Sequence, residues 1–416
     1  MSLLKPSLRT TVTSFRILST HHRHIVGKCR HYVTYNPLDR KVKKGMGGIF
    51  EPFLQPGKKE DTIAFTPDVI LSELALKDIL PPDEQLELMK KHKQFKLSLP
   101  EQKQLVQLVL DSLQNNQPLD SQQLLKHVGG DKSELTATGN MLLRSSKVGA
   151  LVSLELYRHA MELGDDQGTF SYANMLYRGY QGTIKNEEKG IELMSTLARK
   201  GHPYAQMNLA AIIMRTQPDK VKQAIQLYEL AARSGISSAY TELGRMYRLG
   251  YGVHQDHNKA MEYFRKGTAV DSGGNPQCHF MLGVYYSSGL GTTSKEPDQT
   301  KAFKHFQKAA IKGLPEAQYN VGLRFLKGHG VEQNMFNAAE FFTMAATQGF
   351  QLAQANLASM YVEGRGVKKD TEQATLWFTK AAAGGGPIGK EAQQQLDLLT
   401  NGSSGKAGGN SKCTIM

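Results

Sequence analysis

The chain has 416 residues, yet only three cysteines and one tryptophan. Cys29, Cys278 and Cys413 lie far apart and form no Cys-x-x-Cys pair. That excludes a disulfide framework and argues against a thiol-based zinc site. It also disfavours an import route that depends on paired cysteine oxidation. Long apolar runs are missing as well. The most apolar stretch, Leu209 to Met214, is far shorter than the ~18 residues a membrane-spanning helix requires. No Ser/His/Asp or Cys/His arrangement suggests an activated nucleophile, and no paired carboxylates stand out. The expectation is therefore a non-enzymatic chain with no cofactor and no metal.

Acidic residues are absent from the first 38 positions; the first is Asp39. The whole chain carries 51 Lys+Arg against 38 Asp+Glu, a formal charge of +13. Residues 1–60 hold 12 Lys+Arg and 3 Asp+Glu, a net of +9, and residues 61–416 hold the remaining +4. A basic protein invites an anionic partner, but here the excess sits in a short leader, so no nucleic-acid partner is expected for the body. Within the leader, Leu4, Leu8, Val12 and Phe15 recur at helical spacing, with Arg9 and Arg16 off that stripe and many Ser and Thr between. This amphipathic, Arg- and Ser-rich, acid-free pattern is that of a mitochondrial transit peptide, without the continuous apolar core of a secretory signal. Arg30-His31-Tyr32-Val33 places an Arg two residues before the bond that a matrix protease would cut, with Val33 as the new N-terminus. Residues 1–32 are thus read as a transit peptide and 33–60 as an extended basic linker. The expected address is the matrix or the matrix face of the inner membrane, with peripheral membrane association.

What the body has is internal repetition. Ala205, Leu209 and Ile213 begin one unit. Ala239/Leu243/Tyr247, Cys278/Leu282/Tyr286, Ala317/Val321/Phe325 and Ala353/Leu357/Tyr361 begin the next four, with Gly168/Tyr172/Leu176 before them. A stripe at i, i+4 and i+8 is one face of a helix. A Gly-containing turn follows in each later unit, for example Gly250-Tyr251-Gly252-Val253 and Gly364-Arg365-Gly366-Val367. Then comes a short polar residue, Asn186, Asp256, Asp298, Asn334 or Asp370, suited to cap a second helix. That helix carries a small residue at Gly190, Ala260, Ala302, Ala338 or Ala374 and a large one at Met194, Phe264, Phe306, Phe342 or Phe378. Small residues let paired helices approach, and the aromatics are expected to fill the wedge between neighbouring units. Residues 60–133 are helical by pattern without repeating, 134–167 read as a possible degenerate unit, and a helix from Glu391 to Leu399 should cap the array.

This recurrence resembles the Sel1-like repeat, a relative of the tetratricopeptide repeat, over residues 168–400. The resemblance implies an all-α, right-handed solenoid of about six helix–turn–helix repeats behind a helical N-terminal region, holding protein clients on its concave face. Similar mitochondrial repeat proteins assist respiratory-chain assembly, notably of cytochrome c oxidase, so an adaptor or assembly factor is expected. Three units share Ala-Gln-x-Asn, namely Gln206/Asn208, Gln318/Asn320 and Gln354/Asn356. These amides flank the buried stripe and are the candidate groove, a polar ladder for an extended peptide or helix.

Three lesser motifs compete with that reading. Gly384 to Lys390 has phosphate-loop spacing, but Glu391 stands where a Ser or Thr should follow and a helix precedes where a strand should. His254 and His257 lack further ligands at useful spacing. The terminus Cys413-Thr414-Ile415-Met416 fits a prenylation signal, with Met favouring farnesyl. Fungal chitin synthase activators combine Sel1-like repeats with such an end, so the alternative is a scaffold tethered to the cytosolic face of a membrane through Cys413.

Overall fold

The computed structural model describes residues 71–146, 148–179, 185–270, 274–292 and 294–402. Every regular element among them is helical: nineteen α-helices and two short 3-10 turns, with no strand. They fall into two compact units, divided between Ala309 and Ala310.

The first unit opens with α1 (Leu76–Ile79), α2 (Asp83–Lys91), α3 (Leu99–Gln114) and α4 (Ser121–His127). Ser98 and Glu101 form a capping box at the start of α3, a Ser-x-x-Glu signal legible in the sequence. These helices share one core with α5 (Ser133–Ser145) and α6 (Ala150–Glu162), built on Ile79, Leu86, Leu105, Val109, Leu135, Leu142 and Leu156. Helix pairs then follow in regular order: α7 (Asp166–Arg178) and α8 (Glu187–Arg199), α9 (Pro203–Thr216) and α10 (Val221–Arg233), α11 (Ser237–Leu249) and α12 (His257–Gly267), and α13 (Pro276–Ser288) and α14 (Gln299–Ile311).

The second unit holds two more pairs, α15 (Pro315–Lys327) with α16 (Met335–Thr347) and α17 (Gln351–Glu363) with α18 (Thr371–Ala383), and then α19 (Gly386–Gly402). The final helix begins five residues before the expected Glu391. Gly385 and Gly386 turn the chain at φ 66° and 68°, and Pro387, at the second helical position, suits a first turn whose N–H groups have no intrahelical partner.

All five polar residues expected at second-helix starts are caps. Asn186, Asp256, Asp298, Asn334 and Asp370 accept backbone N–H groups at 2.8–3.0 Å. The turn glycines are required by geometry. Gly366 sits at φ 68°, and a Cβ there would lie 2.0 Å from the Met335 carbonyl oxygen.

The second-helix aromatics behave differently from expectation. Three of the four phenylalanines lie on a glycine of their own unit's first helix, Phe264 on Gly244, Phe306 on Gly283 and Phe342 on Gly322, where an added Cβ would approach the ring to 2.4–2.8 Å; the unit of Phe378 has Ala358 at that slot. They lock a unit together first. Contact with the next unit is made at the ring edge, as in Phe264 against Tyr285 at 5.7 Å. The reason is the glycine one residue past the stripe Leu or Val, which opens a flat seat that only the unit's own second helix reaches. The same lock joins α5 to α6, with Gly139 under Tyr157 at 2.6 Å.

Candidate partner-binding surface

The six amides of the expected groove divide into two groups. Gln206, Gln318 and Gln354 are buried, at 4%, 5% and 7% exposure. Each Nε2 donates to a carbonyl eight residues earlier, Ala198 at 3.2 Å, Ala310 at 3.3 Å and Ala346 at 3.1 Å. Those carbonyls lie in the last turn of the preceding helix, where each also accepts the N–H of the glycine that follows, Gly201, Gly313 and Gly349, at 2.9–3.1 Å. The glutamines are therefore joints between successive helices and do not face a groove. A residue directly after the buried stripe Ala points back at the preceding helix end, which spacing along one helix does not reveal.

The asparagines sit closer to the surface. Asn320 Nδ2 donates to the Glu316 carbonyl one turn back at 2.7 Å, and Asn356 Nδ2 to the Tyr319 hydroxyl at 3.3 Å. Asn208 on α9 differs. It is 3% exposed, and its side-chain oxygen has no donor among the described residues. Gln206 Oε1 on the same helix also lacks a donor among the described residues, and both oxygens are shielded from solvent; leaving such an oxygen dry costs about 1–3 kcal/mol. On α11 the equivalent residue is Glu242, 5% exposed, whose carboxylate accepts from Arg245 Nε at 3.1 Å. The first helices of this unit thus carry a short polar strip.

The remaining motifs resolve into packing. Cys278 is fully buried and its thiol is pushed up to about 12 by that burial. Its sulfur occupies space that Gly267 leaves open, since a Cβ on Gly267 would lie 2.3 Å from Sγ. His254 is exposed, whereas His257 Nδ1 lies 3.0 Å from the Tyr285 hydroxyl. His279 meets His305 instead, Nδ1 to Nδ1 at 3.0 Å. Burial, and then the neighbouring His279, bring His305 down to about 4. Among the described residues no three His, Cys, Asp or Glu side chains converge on a metal position. The glycine-rich stretch from Gly384 follows helix α18, and Gln351 Nε2 ties it down through the Ala381 and Gly385 carbonyls at 2.7 and 2.9 Å. Trp377 is core, 8% exposed, with Lys380 above its ring. Arg30, Tyr32, Val33 and Cys413 lie outside the described residues.

One feature had no signal in the sequence. A cavity of about 370 Å³ opens between the loop after α2 and one face of α5. Its walls include Lys93, Lys96, Asn140 and Arg144, over a floor that includes Ala137 and Met141. Glu134 also reaches it, but this carboxylate is committed to the backbone N–H groups of Lys96 at 2.8 Å and Leu97 at 3.3 Å. Glu134 stands in α5 at the slot that holds Ala in later units. There is no preceding repeat to pack against here, and the carboxylate grips the α2–α3 loop instead.

Comparison with known proteins fits this architecture. A family model described as Sel1 repeat matches residues 167–202, 203–236, 237–269, 276–314, 315–350 and 351–386. The uncharacterized protein NMB1327 of Neisseria meningitidis is 30% identical over 42% of this chain and 35% of its own length. The Arabidopsis thaliana ERAD-associated E3 ubiquitin-protein ligase component HRD3B is 32% identical over 30% of this chain and 19% of its own. Chitin synthase regulatory factor 3 of Schizosaccharomyces pombe is 26% identical over 42% and 19%. The chain thus spans 19–35% of the length of these relatives. Among solved structures, c5321, a protective antigen of uropathogenic Escherichia coli with an SLR fold, superposes with a TM-score of 0.53 at 26% identity, covering 70% of this chain and 68% of that one. The Sel1 repeat protein of Oxalobacter formigenes gives 0.54 at 24% identity, covering 76% and 90%.

Proposed function

Because the chain belongs to the Sel1 repeat family, an α-solenoid family of protein-interaction scaffolds, we propose that it is a mitochondrial scaffold, an adaptor or assembly factor that holds a respiratory-chain client such as cytochrome c oxidase. The observation that carries the scaffold reading is the array of six Sel1 repeats between residues 167 and 386. Asn208, Asn320 and Asn356 share one first-helix slot along it and are its candidate contacts. The mitochondrial part rests on the acid-free, amphipathic leader. Many weak contacts along successive repeats would add up, as repeat arrays do with extended surfaces.

Tagging the full chain internally, near Ser404, leaves both ends free for processing. Mitochondrial signal, with a mature N-terminus near Val33, is the expected result. Client capture from mitochondria should fall when Asn208, Asn320 and Asn356 are replaced together by Ala. Unchanged capture would remove the amide face from the account.

A second reading has its own observation, the Cys413-Thr414-Ile415-Met416 end. On that reading the chain is a prenylated scaffold at the cytosolic face of a membrane, as an activator akin to the chitin synthase regulators it resembles. One prenyl chain anchors weakly without a second signal, so the basic leader would have to supply it. Plasma-membrane signal abolished by Cys413→Ser would favour this reading over the first.

A further inference from the structure

The cavity beside α5 is a site of a different kind from the amide face, because its charges are only partly used. Both carboxylates at its edge are committed internally. Glu134 holds the α2–α3 loop, and Asp165 caps α7 at the Gly168 N–H, 2.9 Å away, while also accepting from the Thr136 hydroxyl. Lys96 is paired with Asp131 at 2.6 Å. Two cations remain, Lys93 and Arg144, both exposed and neither with an ion-pair partner among the described residues. Asn140 also lines the cavity, and its Oδ1 accepts from the Tyr157 hydroxyl at 2.8 Å.

The backbone under Lys93 adds to this. Two residues past the end of α2, Lys93 sits at φ 58°, its N–H donating to the Lys90 carbonyl at 2.8 Å. In this chain the corresponding position after a helix is usually glycine, as at Gly164, Gly179 and Gly250. A lysine there accepts a left-handed backbone that glycine would take without strain. The arrangement aims an ammonium group at the mouth of the cavity.

We propose that this cavity binds an acidic segment of a partner protein, in which an apolar side chain enters over Ala137 and Met141 while a flanking carboxylate meets Lys93, Arg144 and the Asn140 amide. A volume of about 370 Å³ lies at the small end of ligand pockets, so it takes one side chain and its neighbours, not a folded surface. Neither residues 1–60, at a net +9, nor residues 401–416, with two lysines and no Asp or Glu, have the sign this cavity calls for; the proposed occupant is another protein. The proposal rests on the protein-scaffold reading and adds the chemistry of what is bound.

The test uses the purified full chain and a phage library displaying random heptapeptides. Wild type should enrich sequences with Asp or Glu beside Leu, Ile or Phe. A Lys93→Glu/Arg144→Glu variant, whose changes lie on exposed side chains, should not. A synthetic peptide from the enriched set should lose at least about tenfold in affinity for the variant, with an unchanged circular dichroism spectrum. Enrichment without an acidic excess, or equal binding to both proteins, overturns the pocket while leaving the scaffold reading standing. If no peptide binds either protein and the Asn208 variant also captures normally, both readings fail together.

Discussion

Gly267 and Cys278 offer a quantitative test of how these repeats pack. At other joints, such as that of Ala231 and Ala239 in one core cluster, both positions are alanine and fully buried. Here one partner is larger by a sulfur and the other smaller by a methyl. Gly267→Ala places a Cβ 2.3 Å from the Cys278 sulfur and 3.1 Å from Tyr240 Cβ. Overpacking of that kind costs about 1–3 kcal/mol, offset by up to about 1 kcal/mol of helix propensity, for a net loss of about 1–2. Cys278→Ala removes a fully buried atom of roughly methylene size, about 0.8 kcal/mol of transfer energy, and leaves a void that brings the loss to about 1–2 kcal/mol. The double variant puts back the alanine pair found elsewhere, and the new methyl fills part of the void. It should fall within about 1 kcal/mol of wild type, because Tyr240 still crowds the new Cβ. The coupling is then about 2–3 kcal/mol. Urea unfolding followed by circular dichroism measures it, with slopes compared because repeat arrays can unfold in parts. If the two single losses simply add, within about 0.5 kcal/mol, the compensation is not real and Cys278 is an independent substitution.

Other outcomes follow from particular contacts. Gln354→Leu should cost about 1 kcal/mol, because the Ala346 carbonyl loses its side-chain donor and keeps only backbone N–H groups such as that of Gly349 at 3.0 Å, without changing client capture; reduced capture at unchanged stability would return this residue to the binding face. Burial keeps His305 neutral in the folded chain down to about pH 4, whereas in the unfolded chain it takes a proton near its ordinary value of about 6.5. The unfolded state therefore binds more protons in between, and stability should fall as the pH drops from about 6.5 to about 4. His305→Gln should flatten that part of the urea midpoint profile, and an identical slope in the variant would rule the residue out. Lys93→Gly should raise stability by up to about 1 kcal/mol by relieving the left-handed backbone, while weakening binding of the acidic peptide. A variant that binds normally would show that the ammonium group has no part in the cavity.

Much of the fold was legible because it is periodic. The stripe at Ala239, Leu243 and Tyr247, the turn glycines and the caps each recur in register, and each reports a local backbone demand that chain order alone conveys. The aromatics were legible as buried but not in direction. Whether Phe264 faces its own unit or the next depends on Gly244, and the meaning of that glycine appears only once both helices are placed. The glutamines were misleading for a related reason. Gln206 and Asn208 are two residues apart and look like neighbours on a polar flank, yet about 100° of rotation per residue sends one into the helix joint and the other onto the first-helix face. Spacing along one helix ranks side chains by angle but does not say what stands opposite.

The cavity was invisible to such reasoning because it arises where the repetition stops. In later units the stripe Ala packs against what precedes it, and nothing is left to bind. At α5 the slot holds Glu134, and the carboxylate draws in the Lys96 and Leu97 N–H groups. A loop fixed at two points along α5 does not cover the rest of that helix face, so Asn140 stays half-buried and Arg144 exposed. The end of a repeat array must be made soluble by polar residues, and here the residues that do so include Asn140 and two cations without ion-pair partners among the described residues, beside Ala137 and Met141. Exposed charge beside an apolar surface is thus found where the repetition stops, and binding specificity is expected there first.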